Sequence, residues 1–191
     1  MENSGYIDYV EKVSQDGSTC SYEEISHQEG WTPQELFRIE FELEGYDKDA
    51  RKAESATVIG FELADHFVDR FVDYEVGIPQ TVMSTPVTAI APYASNHSPN
   101  DNYLRDVKLP ETLKSVGYAA FADTEMEAVE IPAGVTEIGE YAFGYDRQCV
   151  MRGDDGAEIG FEKIEGFVIS CYPGTAGEKY AKDNGFEYKL L

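Results

Sequence analysis

Apolar and polar residues alternate strictly along Phe37, Ile39, Phe41 and Leu43 against Arg38, Glu40, Glu42 and Glu44. This period of two belongs to a half-buried strand. Just before it, Thr32-Pro33-Gln34-Glu35 fits a capping box with proline at the first helical position, predicting one turn of helix leading into the strand. Asp16-Gly17 predicts a hairpin turn between strands at Tyr6–Val13 and Thr19–Ile25. Thr57–Phe61 and Phe67–Val72 then open a sheet ahead of a different pattern.

That second pattern is a repeat. Leu104, Val107, Leu109-Pro110, Leu113, Val116-Gly117 and Ala120-Phe121 are matched, 22 residues later, by Met126, Val129, Ile131-Pro132, Val135, Ile138-Gly139 and Ala142-Phe143. A degenerate copy precedes them at Val76, Ile78-Pro79, Val87, Ile90 and Ala94. It needs extra residues around Thr81–Pro86 and a polar loop at Ser95–Asn102, and it carries Ser95 where later copies have Phe121 and Phe143, which predicts weaker packing there. Ile164, Phe167 and Ile169 suggest a fourth half-copy. Within a copy, Val107 and Leu109 face inward from a short strand that Pro110 terminates. Leu113 and Val116 turn back inward, Gly117 allows a tight corner, and Phe121 fills the space between coils. One such coil cannot bury its own apolar side, so coils must stack.

These residues resemble the BspA-like bacterial leucine-rich repeat family, whose pattern is LxxVxIPxxVxxIGxxAF. The resemblance is tight over residues 76–143 and looser to the C-terminus, where Gly166-Phe167, Cys171-Tyr172-Pro-Gly-Thr175 and Tyr180-Ala181 also look familiar. The cysteine that often follows Ala-Phe is absent; Ala122-Asp123 and Gly144-Tyr145 stand there. The expected fold is a mainly β repeat solenoid with short turns and helices, of the right-handed β/α-type leucine-rich repeat coil. Residues 1–56 would form a short N-terminal cap or a small α+β module. Residues 57–163 would form the solenoid, with a degenerate coil over 57–102, coils over 103–124 and 125–146, and an irregular coil over 147–163 around the turn signal Gly153–Gly156. Residues 164–191 would close it with a half-coil and a cap: a helix started by Thr175 and stopped by Asn184-Gly185, then a last strand alternating Phe186, Tyr188 and Leu190. The resemblance implies protein binding or adhesion rather than catalysis, a protein partner (a host or cell-surface protein among the candidates), and an extracellular or cell-surface location for a chain trimmed of its export signal.

Charge adds a second reading. The 191 residues carry 37 Asp+Glu against 15 Lys+Arg, a formal net charge of −22. Such a surface repels phosphate backbones and argues against nucleic-acid binding. It suits a cytoplasmic, acidic inhibitor or immunity-type protein docking a basic partner. No apolar run is long enough to span a membrane, and Met-Glu-Asn-Ser is no signal peptide. The three cysteines, Cys20, Cys149 and Cys171, show neither a disulfide framework nor a metal-ligand spacing.

Chemistry is sparse. Asp65-His66 near Asp69 and Asp73 could act in catalysis or hold a metal, but exposed polar residues on a half-buried segment account for them better. His27 and His97 lie far apart in the sequence, and no phosphate loop or nucleophile elbow is present. No cofactor and no catalytic residue is expected. Arg152-Gly153-Asp154 spells an adhesive tripeptide that an ordinary turn would also contain. Partner binding falls instead on the strand face, where stacking puts Gly77, Lys108 and Glu130 in one column and Glu75, Asp106 and Ala128 in another. Lys108 and Glu130 would lie roughly 5 Å apart, either as a register-fixing ion pair or as part of a recognition surface. A second candidate is the tyrosine cluster Tyr118, Tyr141 and Tyr145 on the turns, open to protein or sugar contact or packed between coils. A third class, an accessory module of a secreted enzyme with its chemistry in residues 1–75, stays open.

Overall fold

The computed structural model describes residues 6–27, 34–64, 75–96, 104–151 and 157–191. The strands are β1 (Tyr6–Val13), β2 (Thr19–His27), β3 (Gln34–Glu44), β4 (Ser55–Leu63), β5 (Glu75–Gly77), β6 (Thr81–Val82), β7 (Thr85–Ile90), β8 (Asp106–Lys108), β9 (Ser115–Val116), β10 (Ala128–Glu130), β11 (Glu137–Ile138), β12 (Tyr145–Met151), β13 (Ala157–Lys163), β14 (Val168–Cys171) and β15 (Glu187–Leu190). A 3-10 turn covers Ala94–Asn96, and α1 spans Ala176–Asn184. No helix among the described residues is long and apolar enough to cross a membrane.

The first four strands form an antiparallel meander. The β1–β2 turn is the expected one. Gly17 takes a left-handed φ of 79°, and the Asp16 carboxylate accepts bonds from Ser18 N–H and from the Ser14 and Ser18 hydroxyls. On β3, Phe37, Ile39, Phe41 and Leu43 are buried while Glu40, Glu42 and Glu44 face water, as the alternation requires. The expected helical turn is not formed at Gln34 and Glu35, which already pair in β3; Thr32 and Pro33 lie outside the described residues. Tertiary pairing with β2 overrides the local capping signal, and the described N-terminal region is all β rather than α+β. Phe67–Val72 also lies outside the described residues.

β4 joins the meander to the repeats. It pairs antiparallel with β3 on one edge and parallel with β7 on the other, so one sheet runs β1-β2-β3-β4-β7-β9-β11. The expected border between residues 56 and 57 therefore falls inside a strand. The extra residues near Thr81–Pro86 are a tight hairpin, β6–β7, whose two loop residues Met83 and Ser84 both take positive φ.

From β7 onward the repeats stack in parallel, and β9 and β11 pair with the 22-residue offset read from the sequence. Gly117 N–H donates to Ile90 and Gly139 N–H to Val116; Ser95 N–H donates to Ala120 and Phe121 N–H to Ala142. Gly117 and Gly139 are glycines for a reason of space. A Cβ on Gly117 would sit 2.4 Å from Pro92 N, and one on Gly139 2.5 Å from Tyr118 N. At the next corner Tyr93, Ala119 and Tyr141 repeat a left-handed φ of 57°, 49° and 58°. An aromatic column threads the stack: Phe61 of β4 meets Phe121 at 5.8 Å, Phe121 stacks on Phe143 at 5.2 Å, and Tyr180 of α1 closes on Phe143 at 6.2 Å. Packing at Ser95 is thus not weak. Ser95 is buried and donates to Ala122 carbonyl, and Phe61 brings its ring to the side of Phe121 that faces the degenerate copy.

The segment expected as an irregular coil is instead an antiparallel hairpin, β12–β13, paired from Tyr145↔Lys163 to Met151↔Ala157; its Gly153–Gly156 tip lies outside the described residues. The fourth half-copy is real: β14 adds in parallel to β10, and β15 to β14. Thr175 caps α1 by accepting from Glu178 N–H, and Gly185 ends it with φ 65°. Tyr180 anchors the helix by donating to Phe143 carbonyl at 2.9 Å and accepting from Phe143 N–H at 3.1 Å. On the last strand Phe186 is buried but Tyr188 and Leu190 remain exposed.

Candidate partner-binding face

Two columns of strands make the repeat region. In the column β5, β8, β10, β14, β15 every central residue of the short strands (Val76, Val107, Val129) points into the core, so its neighbours must face water. Glu75 pairs with Asp106 and Gly77 with Lys108, as the repeat alignment demands. Between β8 and β10, however, no ladder forms among the described residues; β10 pairs only with β14, placing Ala128 beside Val168 and Glu130 beside Ser170. The expected Lys108–Glu130 ion pair is accordingly not made. Without ladder hydrogen bonds fixing the two strands at sheet spacing, the columns do not hold these side chains opposite each other. The neighbouring cross-repeat ion pair is Arg105 to Glu125, at 2.6 Å.

A groove of about 450 Å³ occupies that opening. Of the six strand-face positions picked out from the sequence, Glu75, Asp106, Lys108, Ala128 and Glu130 line it and Gly77 does not; Glu111 is added from the turn after Pro110 and Ser170 from β14. Val107, Leu109, Val129 and Pro132 complete the lining, with their side chains buried towards the core. Four carboxylates against one ammonium make the rim acidic.

The tyrosines form a separate surface, and none of them lines the groove. Tyr118 meets Tyr141 edge-on at 5.7 Å, and Tyr141 meets Tyr145 at 5.1 Å. Tyr145 is committed to packing: it is buried, donates its hydroxyl to Asn184 and contacts Phe186. Burial raises its hydroxyl pKa, with a contribution from Tyr141. Tyr118 and Tyr141 stay half-exposed. Two rings escaped sequence reasoning. Phe161 of β13 stacks on Tyr141 at 4.2 Å, and Tyr93 extends the row beyond Tyr118 at 5.4 Å. Tyr93-Ala94 matches Tyr141-Ala142 in the repeat and could have been found; Phe161 arrives through the hairpin, which has no counterpart in the repeat. Also unforeseen was Arg147, which donates to the Asp123 carboxylate and to Asn96 Oδ1 and lies over Tyr93, tying three successive corners together.

Among the described residues no group of His, Cys, Asp or Glu is placed to hold a metal ion. Asp65-His66, Asp69, Asp73, His97 and Arg152-Gly153-Asp154 lie outside the described residues.

Parallel ladders of short strands from successive copies, followed by one helix, define a mainly β repeat protein with a candidate protein-binding face. Residues 74–150 match the family model described as BspA type leucine rich repeat region (6 copies), and this part of the chain is a BspA-like leucine-rich repeat. Comparison with curated proteins and with solved structures gave no match.

Proposed function

We infer that this chain is a non-catalytic protein-binding or adhesion module built as a short solenoid, and that the groove between β8 and β10 is its contact surface. The observation that carries this reading is the convergence of Glu75, Asp106, Lys108, Ala128 and Glu130 on one groove. Repeat families of this kind generally present such faces to proteins rather than perform chemistry on small molecules. The acidic rim of the groove fits a partner that offers basic groups. The half-exposed Tyr118 and Tyr141 form a second contact area. An extracellular or cell-surface setting accords with the family resemblance.

The test is a capture experiment with the purified chain beside its Asp106→Lys and Glu130→Lys variants, with folding monitored by circular dichroism. A partner bound by the parent chain and weakened at least tenfold by each folded variant supports the groove. Capture unaffected by both reversals removes it. The salt dependence of the same interaction separates the alternative of an acidic inhibitor docking by charge, whose affinity would collapse between low and high ionic strength.

A further inference from the structure

β1 is the terminal strand of the large sheet, and among the described residues nothing pairs with its outer edge. It has no proline and no bulge, and its register with β2 is unbroken from Tyr6 to Val13. Two large apolar side chains on it face water, Ile7 at 39% and Tyr9 at 58% exposure. An edge of this kind is a template for another strand unless it is blunted.

The direction of the free backbone groups can be worked out. Ser14 N–H donates to Thr19 carbonyl, directly opposite it in the register, so even-numbered residues of β1 spend their backbone groups on β2. The odd-numbered residues, Ile7, Tyr9, Glu11 and Val13, therefore offer theirs outward. Two copies of β1 pairing antiparallel about a two-fold axis must oppose odd with odd, which leaves registers centred on a single residue. A centre at Asp8 opposes Asp8 to itself, and a centre at Glu11 opposes Glu11 to itself; like charges directly opposite disfavour both. A centre at Tyr9 sets Asp8 against Val10 and makes no charge pair. A centre at Val10 sets Asp8 against Lys12 of the second copy, twice by symmetry, and Ile7 against Val13, also twice. Asp8 and Lys12 then meet as non-hydrogen-bonded pairs, where opposing side chains come closest. Both are more than half exposed on the same face of the sheet, within reach of His27 and Glu23 respectively. The added pairs would extend the existing Lys12–Glu23 ion pair to Asp8 of the second copy.

We propose that β1 is a self-recognition edge, joining two copies of this chain through antiparallel pairing centred on Val10. The net charge of −22 on each copy opposes unspecific association, and this complementarity at the edge selects one register against that background.

The test uses the full chain. Sedimentation equilibrium should show a concentration-dependent dimer. Asp8→Lys converts both cross-strand attractions into repulsions and should weaken it at least tenfold, while the double variant Asp8→Lys/Lys12→Asp should recover it. Val10→Cys places two thiols across the axis at a Cα separation of about 4.5 Å, within disulfide reach, so mild oxidation should yield a covalent dimer that the parent chain and Tyr9→Cys do not form. A parent chain that stays monomeric at every concentration overturns the proposal, as does a dimer indifferent to Asp8→Lys. Should the double variant lose its fold, the Val10→Cys crosslink decides alone, and its absence is likewise fatal to the register.

Discussion

Glu24 is the residue whose surroundings least suit its charge. It sits on the core side of β2, 4% exposed, opposite Tyr9 on β1 and Phe37 on β3, and its Oε1 has no hydrogen-bond partner. Burial pushes its carboxyl up from 4.5 to about 7. Its neighbour Glu23 is also buried, which raises its carboxyl, but Lys12, Arg38 and Ser21 together hold it below the usual value. A raised pKa in the folded state means that the fold holds the proton more tightly than the unfolded chain does. The contribution of Glu24 is thus fully present below about pH 4.5 and is lost as pH rises towards 7, on the order of 2 kcal/mol in all. Glu24→Gln should flatten that part of the stability–pH profile and raise the melting temperature at pH 7.5. Thermal melts across pH 4.5–8 check this, and an unchanged slope would refute it. Nothing in the sequence flagged Glu24, because in Tyr22-Glu23-Glu24-Ile25 both carboxylates look like solvent-facing residues. Glu24 follows Cys20 and Tyr22 onto the core side of β2, opposite Phe37, and Glu23 is covered on the other face beside Arg38 and Lys12.

At the scale of elements, the repeat was legible because its spacing is a packing constraint. Between the copies at 104–121 and 126–143 each inward Val, Leu or Ile recurs after 22 residues because the backbone pairing of β9 with β11 carries that offset, and a shifted residue would face water. Gly139 shows how tight the corner is. Gly139→Ala should destabilise the fold by about 1–3 kcal/mol, since its Cβ would strike Tyr118 backbone rather than a side chain able to move. Gly77→Ala, with open space around it and no left-handed φ, is the matched control, and denaturant midpoints compare the two. Equal midpoints would mean that the corner can open at little cost. Less legible were the elements that depend on partners distant in sequence. The capping signal at Thr32–Glu35 gave no warning that β2 would claim Gln34 and Glu35. The Arg147–Phe161 stretch carried a turn signal but no apolar alternation strong enough to announce a hairpin. Five strand-face positions of the groove were named from the sequence, yet the missing ladder between β8 and β10 is a matter of backbone pairing, which no residue type encodes.

For the molecule as a whole, the question is whether the meander and the repeats stand or fall together. Phe61 belongs to a strand shared by both, and its ring packs at the head of the aromatic column. Phe61→Ala should remove about 3–5 kcal/mol, and urea unfolding should remain a single transition by both far-UV circular dichroism and tyrosine fluorescence. Two separated transitions would show that the repeats hold without the meander. The sequence suggested a border at residue 56 because the repeat pattern begins beyond it; backbone pairing across that point has no signature in composition.

The joint at β4 also sets the length of the assembly. A ladder of parallel strands has two unlike ends, and nothing in its geometry stops one molecule from docking head to tail on the next and so on without limit. In the ladder β7-β9-β11 the antiparallel meander occupies the leading end through β4, and α1 lies against β11 at the trailing one, so growth of that ladder is reversed at one end and covered at the other. A ladder built like a filament is thereby held to a few rungs along that column.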